Sequence, residues 1–212
     1  MNRKLLLALP LLLLGQTALT QVAPTPLRLD SLAHQRSVLV FQQELNKEFS
    51  NPKESPLSAA ERRRFKTLPY YPTRYQYYVE AQLVRDSISQ PFAMETSTDR
   101  RPLYRKYGEL RFQLLGQPQR LSVYQSLDLL KRPGLEDYLM VPFTDLTNGH
   151  GSYGGGRYLD LRIPPSGAAT MLVDFNRAYN PSCAYSHAYS CPVPPAENRL
   201  SVAIPAGVRS DH

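Results

Sequence analysis

Along the chain, apolar positions recur first at helical spacing and then at alternating spacing. Val38, Phe41, Leu45 and Phe49 share one face of a 3.6-residue repeat, with Gln42, Glu44 and Lys47 away from it. The pattern predicts a helix that opens at Asp30 or Ser31 and ends at Pro52. A shorter helix is predicted from Ser58, because Ser58-Ala59-Ala60-Glu61 has the spacing of a capping box; it stops before Pro69. From Arg74 the period changes to two. Tyr75, Tyr77, Val79, Ala81 and Leu83 alternate with Gln76, Tyr78, Glu80 and Gln82, as in a strand buried on one face. Leu110, Phe112 and Leu114 repeat the pattern, and Gly116-Gln117-Pro118 then turns the chain into Leu121 and Val123 as a hairpin. Further strands are predicted at 91–97, 102–107, 138–143, 157–163, 170–176 and 199–204. One-sided alternation favours antiparallel pairing, and no strand–helix–strand rhythm is present. The predicted fold is mainly β: an antiparallel β-sandwich or a partly open barrel, with two N-terminal helices over an open end or face.

The N-terminus reads differently. Arg3 and Lys4 precede an almost purely aliphatic run, Leu5–Leu14, followed by the small and polar Gly15–Thr20. That order is the layout of a secretory signal peptide cleaved near residue 20, and the run is too short to span a hydrocarbon layer of ~30 Å comfortably. The organisation expected is a signal peptide over 1–20, a Pro-containing linker over 21–30 and one β-rich domain over 31–212. The mature protein is expected in the periplasm or secreted, as a monomer without a transmembrane segment. Cleavage takes two positive charges from the formal +7 and leaves +5, scattered apart from Arg62-Arg63-Arg64 and Arg100-Arg101. So diffuse a charge on an exported chain argues against nucleic acid as partner.

Candidate chemistry collects after residue 142. The elements Tyr104–Leu110 (YRKYGEL), Tyr153–Asp160 (YGGGRYLD), Asp174–Tyr185 (DFNRAYNPSCAY) and Cys191–Leu200 (CPVPPAENRL) resemble the bacterial and archaeal family of domains of unknown function numbered 1684. The resemblance runs from about Val38 to Gly207. It implies a single recurrent domain and no particular activity.

Within these elements several readings stay open. Gly154, Gly155 and Gly156 permit positive φ and close backbone approach, and Arg157 has the geometry to bind a carboxylate or phosphate. The stretch is either a tight turn or an anion-holding loop. It leads into a strand rather than a helix, unlike the usual phosphate loops. Cys183, His187 and Cys191 are spaced four apart; in an oxidising compartment the two cysteines read most simply as a disulfide, and no metal or cofactor is expected. Asp145, Asp160, Asp174 and Glu197 are acids for turn caps, ion pairs or general acid–base work. Asn176, Asn180, Tyr153 and Tyr179 offer caps, hydrogen bonds or stacking faces. The combined expectation is a pocket for a small polar or anionic ligand, built from the 145–160 loop and the 174–198 segment with Arg157 as its charge anchor. Its alternatives are a hydrolase using Asp or Glu, and a purely structural envelope domain.

Overall fold

A computed structural model describes residues 27–165 and 168–210. The expected signal peptide, and the linker as far as residue 26, lie outside the described residues.

Helix α1 spans Ser31–Ser50, with the Asp30 carboxylate accepting the Ala33 N–H at 2.8 Å as its N-cap. Its buried stripe begins one turn earlier than the apolar pattern shows, at His34, and continues through Val38, Leu45 and Phe49. Helix α2, Ala59–Arg64, closes with the reciprocal Ser58–Glu61 capping box. A single 3-10 turn, Tyr75–Tyr77, then leads into the strands: β1 (Tyr78–Arg85), β2 (Phe92–Ala93), β3 (Leu103–Leu114), β4 (Gln117–Ser126), β5 (Tyr138–Phe143), β6 (Arg157–Arg162) and β7 (Thr170–Asp174).

These strands form one sheet in the order β6-β5-β4-β3-β1-β7, with β2 pairing on β3 and every ladder antiparallel. The architecture is therefore a half-barrel and not a sandwich of two sheets. The roll brings its end strands back together. Tyr158 in β6 and Tyr179 beyond β7 exchange backbone hydrogen bonds at 2.9 and 3.1 Å. Past that bridge, among the described residues, the β6 and β7 rims are not laddered to each other, which leaves a seam.

Several predicted strands change. The predicted 91–97 strand contracts to two residues, and 102–107 joins the following strand across a bulge between Lys106 and Gly108. Only glycine fits at that bulge, because a Cβ on Gly108 would lie 2.5 Å from the Val84 carbonyl oxygen. The hairpin turns on Leu115 and Gly116, with φ of 52° and 76°, one residue earlier than expected. The 199–204 stretch is not a strand. Leu200, Val202 and Ile204 alternate into the core, but the backbone meets 144–146 through separate bonds (Leu200 N–H to Thr144 O, Leu146 N–H to Val202 O) and not a ladder.

The concave face holds the main core, including Leu110, Leu121, Val123, Val141, Phe143 and Val173. Each fully buried large side chain there contributes ~1.5–3 kcal/mol of hydrophobic stabilisation. The convex face carries a second cluster, with Met94, Tyr104, Tyr124, Met140, Tyr158 and Cys191 beneath the 183–194 segment.

Candidate functional site

Arg157 opens β6, whose alternation turns it to the concave side with Leu159 and Leu161. No part of its side chain is exposed; it donates to Asp145 Oδ2 at 2.6 Å, to the Ile204 carbonyl at 2.9 Å and to the Ala206 carbonyl. Asp145 is equally buried, and its Oδ1 accepts from Thr147 N–H and Oγ1, each at 2.7 Å, and from the Ile204 N–H at 3.2 Å. The pair pins the loop after β5 to the C-terminal segment. This corrects the expectation that Arg157 anchors a ligand: its guanidinium meets no solvent, and its terminal nitrogens are occupied by protein.

The glycines before it form a tight turn, closed by the Gly156 N–H on the Tyr153 carbonyl at 3.1 Å. Gly156, at φ 95°, packs so closely that a Cβ would lie 2.5 Å from Pro194 Cγ. Gly155 likewise has the Tyr153 ring where its Cβ would be. Tyr153 and Gly155 thus serve the turn.

The acids divide between two places. Glu197 lies on the convex face in an open groove of about 840 Å³ over β1, β3 and β4. It accepts from the Tyr124 hydroxyl at 2.7 Å, and that bond, with Lys106 nearby, lowers its pKa. Glu80, Glu109, Arg111, Arg120 and Arg199 line the same groove, and Arg111 is paired with Glu109 at 2.7 Å. The groove has the balanced charge of a solvated sheet face.

Asp160 and Asp174 come together at the seam. They line a partly enclosed cleft of about 180 Å³ between β6 and β7, with Arg177 and the first turns of α1 beside it. Leu29, Leu159, Leu161 and Leu172 supply apolar wall, while Ser37 and Tyr78 complete the lining. The two carboxylates have different surroundings. Asp174 Oδ2 receives His34 Nε2 at 2.9 Å, and its Oδ1 receives the Asn176 N–H at 3.1 Å and Nδ2 at 2.8 Å. Since a carboxylate accepts, the His34 proton sits on Nε2. His34 stacks on Tyr78 with ring centroids 4.5 Å apart, and Asn176 also clamps the Arg74 backbone. Asp160 is exposed, and its Oδ1 accepts the Tyr138 and Tyr179 hydroxyls at 2.6 and 2.7 Å. The crowded protein around it raises its pKa, an effect only partly opposed by these hydroxyls and by Arg162. Burial and the Asp160 charge push both tyrosine hydroxyls upward.

Arg177 was absent from the expected set, yet it is the cation of the cleft. Its side chain is 43% exposed, its Nε lies 3.6 Å from Asp174 Oδ2, and its Nη2 makes a long bond of 3.4 Å to the Ser37 carbonyl. Its Nε has no hydrogen-bond partner among the described residues. His34 was also missed: a lone histidine in a helix carries no signal of a partner 140 positions later. Asn180, by contrast, sits apart, holding the Tyr185 hydroxyl at 3.2 Å.

Cys183 and Cys191 are neighbours and carry free thiols in this structure, the Cys183 N–H reaching Cys191 Sγ at 3.2 Å. Burial pushes the Cys191 thiol up to about 11. His187 is exposed on the intervening loop. Among the described residues no group of three or more His, Cys, Asp or Glu side chains is placed to hold a metal ion. Among them, too, no helix is long and apolar enough to cross a membrane.

Comparison with known proteins agrees with this picture of the fold. A family model described as "Protein of unknown function (DUF1684)" matches residues 63–209. The solution structure of the uncharacterized protein from gene locus rrnAC0354 of Haloarcula marismortui is similar at 35% identity, with a TM-score of 0.67. The match covers 86% of this chain and 97% of that one. No curated protein matches the chain.

Proposed function

Because the chain belongs to the DUF1684 family of proteins of unknown function, we propose its role from the site alone: an exported, monomeric domain that holds a small polar or anionic molecule in the cleft between β6 and β7. The observation that carries this reading is the meeting of Asp160, Asp174 and Arg177 around one partly enclosed space of about 180 Å³ with apolar walls. A partly enclosed space where a few polar groups converge beside apolar walls suits a molecule of only a few heavy atoms. Arg177 takes the part of charge anchor, since it is the cation lining the cleft and its side chain is 43% exposed, with its Nε turned to Asp174 at 3.6 Å. Asn176 positions Asp174, and Tyr138 and Tyr179 position Asp160.

Export rests on Arg3, Lys4 and the Leu5–Leu14 run. In an oxidising compartment Cys183 and Cys191 form a disulfide, a pairing favoured by the contact between them. Mass measurement before and after reduction and alkylation tests it; two alkylated thiols in protein isolated from the periplasm would overturn the bridge.

A second reading has its own observation. Asp160 and Asp174 face one cleft in unlike surroundings, the first with a raised pKa and the second held by several donors. That contrast suits a proton donor and a charged partner in hydrolysis. The two readings share one test. Thermal unfolding of wild type and Arg177→Ala is followed with acetate, phosphate, sugar acids and neutral sugars. A ligand that stabilises wild type and not the variant supports the site. Equal stabilisation of both would remove Arg177 from it, and consumption of a sugar derivative would favour hydrolysis.

A further inference from the structure

We propose that the molecule held in the seam cleft is a small zwitterion, an aliphatic amino acid or a close analogue, whose carboxylate meets Arg177 and whose ammonium meets Asp160; this rests on the ligand-binding reading above.

The argument starts from which charges already have partners. Asp174 is enclosed by His34 and Asn176, so both of its oxygens are taken. Asp160 has only its Oδ1 engaged, by the two tyrosine hydroxyls, and among the described residues no hydrogen bond reaches its Oδ2. Arg162, the nearest cation to it in sequence, is turned to Asp137 at 2.6 Å. Arg177 is loosely held: its buried Nε lies 3.6 Å from Asp174 Oδ2, its Nη2 makes a long bond of 3.4 Å to the Ser37 carbonyl, and its side chain is 43% exposed. The cleft thus offers one open acceptor, Asp160 Oδ2, and one partly exposed cation, Arg177.

Charge balance then separates the ligand classes. Asp160 and Asp174 set two negative charges against the one positive charge of Arg177. A simple anion entering so small a space gains Arg177 but approaches both carboxylates. A simple cation gains Asp160 but approaches Arg177. A molecule with both charges satisfies each open group and adds no net charge, and the leucine walls take its short aliphatic part.

Calorimetric titration of the mature protein at pH 7 tests this with matched probes: glycine, β-alanine and γ-aminobutyrate against acetate, propionate and butyrate, and against ethylamine, propylamine and butylamine. The expected result is that one amino acid binds at least about tenfold more tightly than the acid and the amine of its length. Asp160→Asn, which keeps an oxygen for the tyrosine hydroxyls, is expected to abolish that preference by weakening the amino acid while leaving the acid's affinity intact or raised. Arg177→Ala is expected to weaken amino acid and acid alike. Acid and amino acid binding equally would overturn the zwitterion but leave the anion-binding cleft standing. An amine binding as tightly as the amino acid would overturn both the zwitterion and the role of Arg177. No binding by any probe would overturn the zwitterion together with the reading beneath it. Thermal unfolding of both variants without ligand separates lost binding from lost fold.

Discussion

Replacing Arg157 by Met tests whether the most buried cation of the protein is structural. Met keeps much of the volume and removes the charge. The Asp145 carboxylate, with no exposed surface, would keep its three hydrogen bonds on Oδ1 and lose the cation on Oδ2. The Ile204 and Ala206 carbonyls would lose a donor as well. Breaking a buried ion pair from one side costs about 3–5 kcal/mol, because the remaining charge is left without compensation. That is a large share of the roughly 5–15 kcal/mol that holds an ordinary domain together. With a urea dependence of about 2 kcal/mol per molar, the unfolding midpoint should fall by roughly 2 M. Asp145→Asn combined with Arg157→Met removes both charges, so its loss should be clearly smaller than the sum of the two single losses. The assay is equilibrium urea unfolding of the four proteins followed by far-ultraviolet circular dichroism. A single Arg157→Met variant within about 1 kcal/mol of wild type would refute the structural role. If that variant also lost ligand binding, Arg157 would return as an anchor.

Three further outcomes follow from the same geometry. His34→Ala should cost about 2–4 kcal/mol, since it leaves a void and strips Asp174 of a buried donor; hydrogen exchange should rise along α1 before the rest of the chain. Gly108→Ala drives a methyl against the Val84 carbonyl and should cost about 1–3 kcal/mol by thermal unfolding; an unchanged midpoint would mean that the bulge relaxes freely. Asp160 gives a pH dependence. Its folded pKa is raised, so the folded state holds the proton longer than the unfolded chain. Its contribution is fully present below the unfolded value of about 3.9 and is lost as pH rises through the folded one. Urea midpoints measured upward from pH 4 should carry a falling component that Asp160→Asn removes; identical profiles would contradict the raised value.

Local features were legible in the sequence because neighbouring residues determine them. The Asp30 cap, the Ser58–Glu61 box and the alternation through β1 and β3 needed no distant partner. The 199–204 segment shows the limit: alternation reports which side chains are buried, not whether the backbone joins a ladder. Arg157 shows another. Its charge and its glycine neighbours suggested exposure, as for most arginines. The compensation lies at Asp145 and in carbonyls near residue 205, which come close only once the sheet has rolled. The cleft was half visible. Asp160 and Asp174 were singled out, but Arg177 and His34 acquire meaning only from the seam, where residues far apart in the chain become opposite banks.

The single bridge between Tyr158 and Tyr179 joins the rims of the sheet at one point. Free rims are what other chains pair with when β-proteins aggregate. Here each rim faces the other across a narrow gap instead of facing a stranger. Had the roll closed, the rims would be safe and the gap gone; had it stayed flat, both would be exposed. The same incomplete closure therefore governs two properties at once, resistance to edge-to-edge association and the width of the opening through which a small molecule enters. Substitutions that loosen the Tyr158–Tyr179 contact should then widen the range of molecules admitted and promote self-association together.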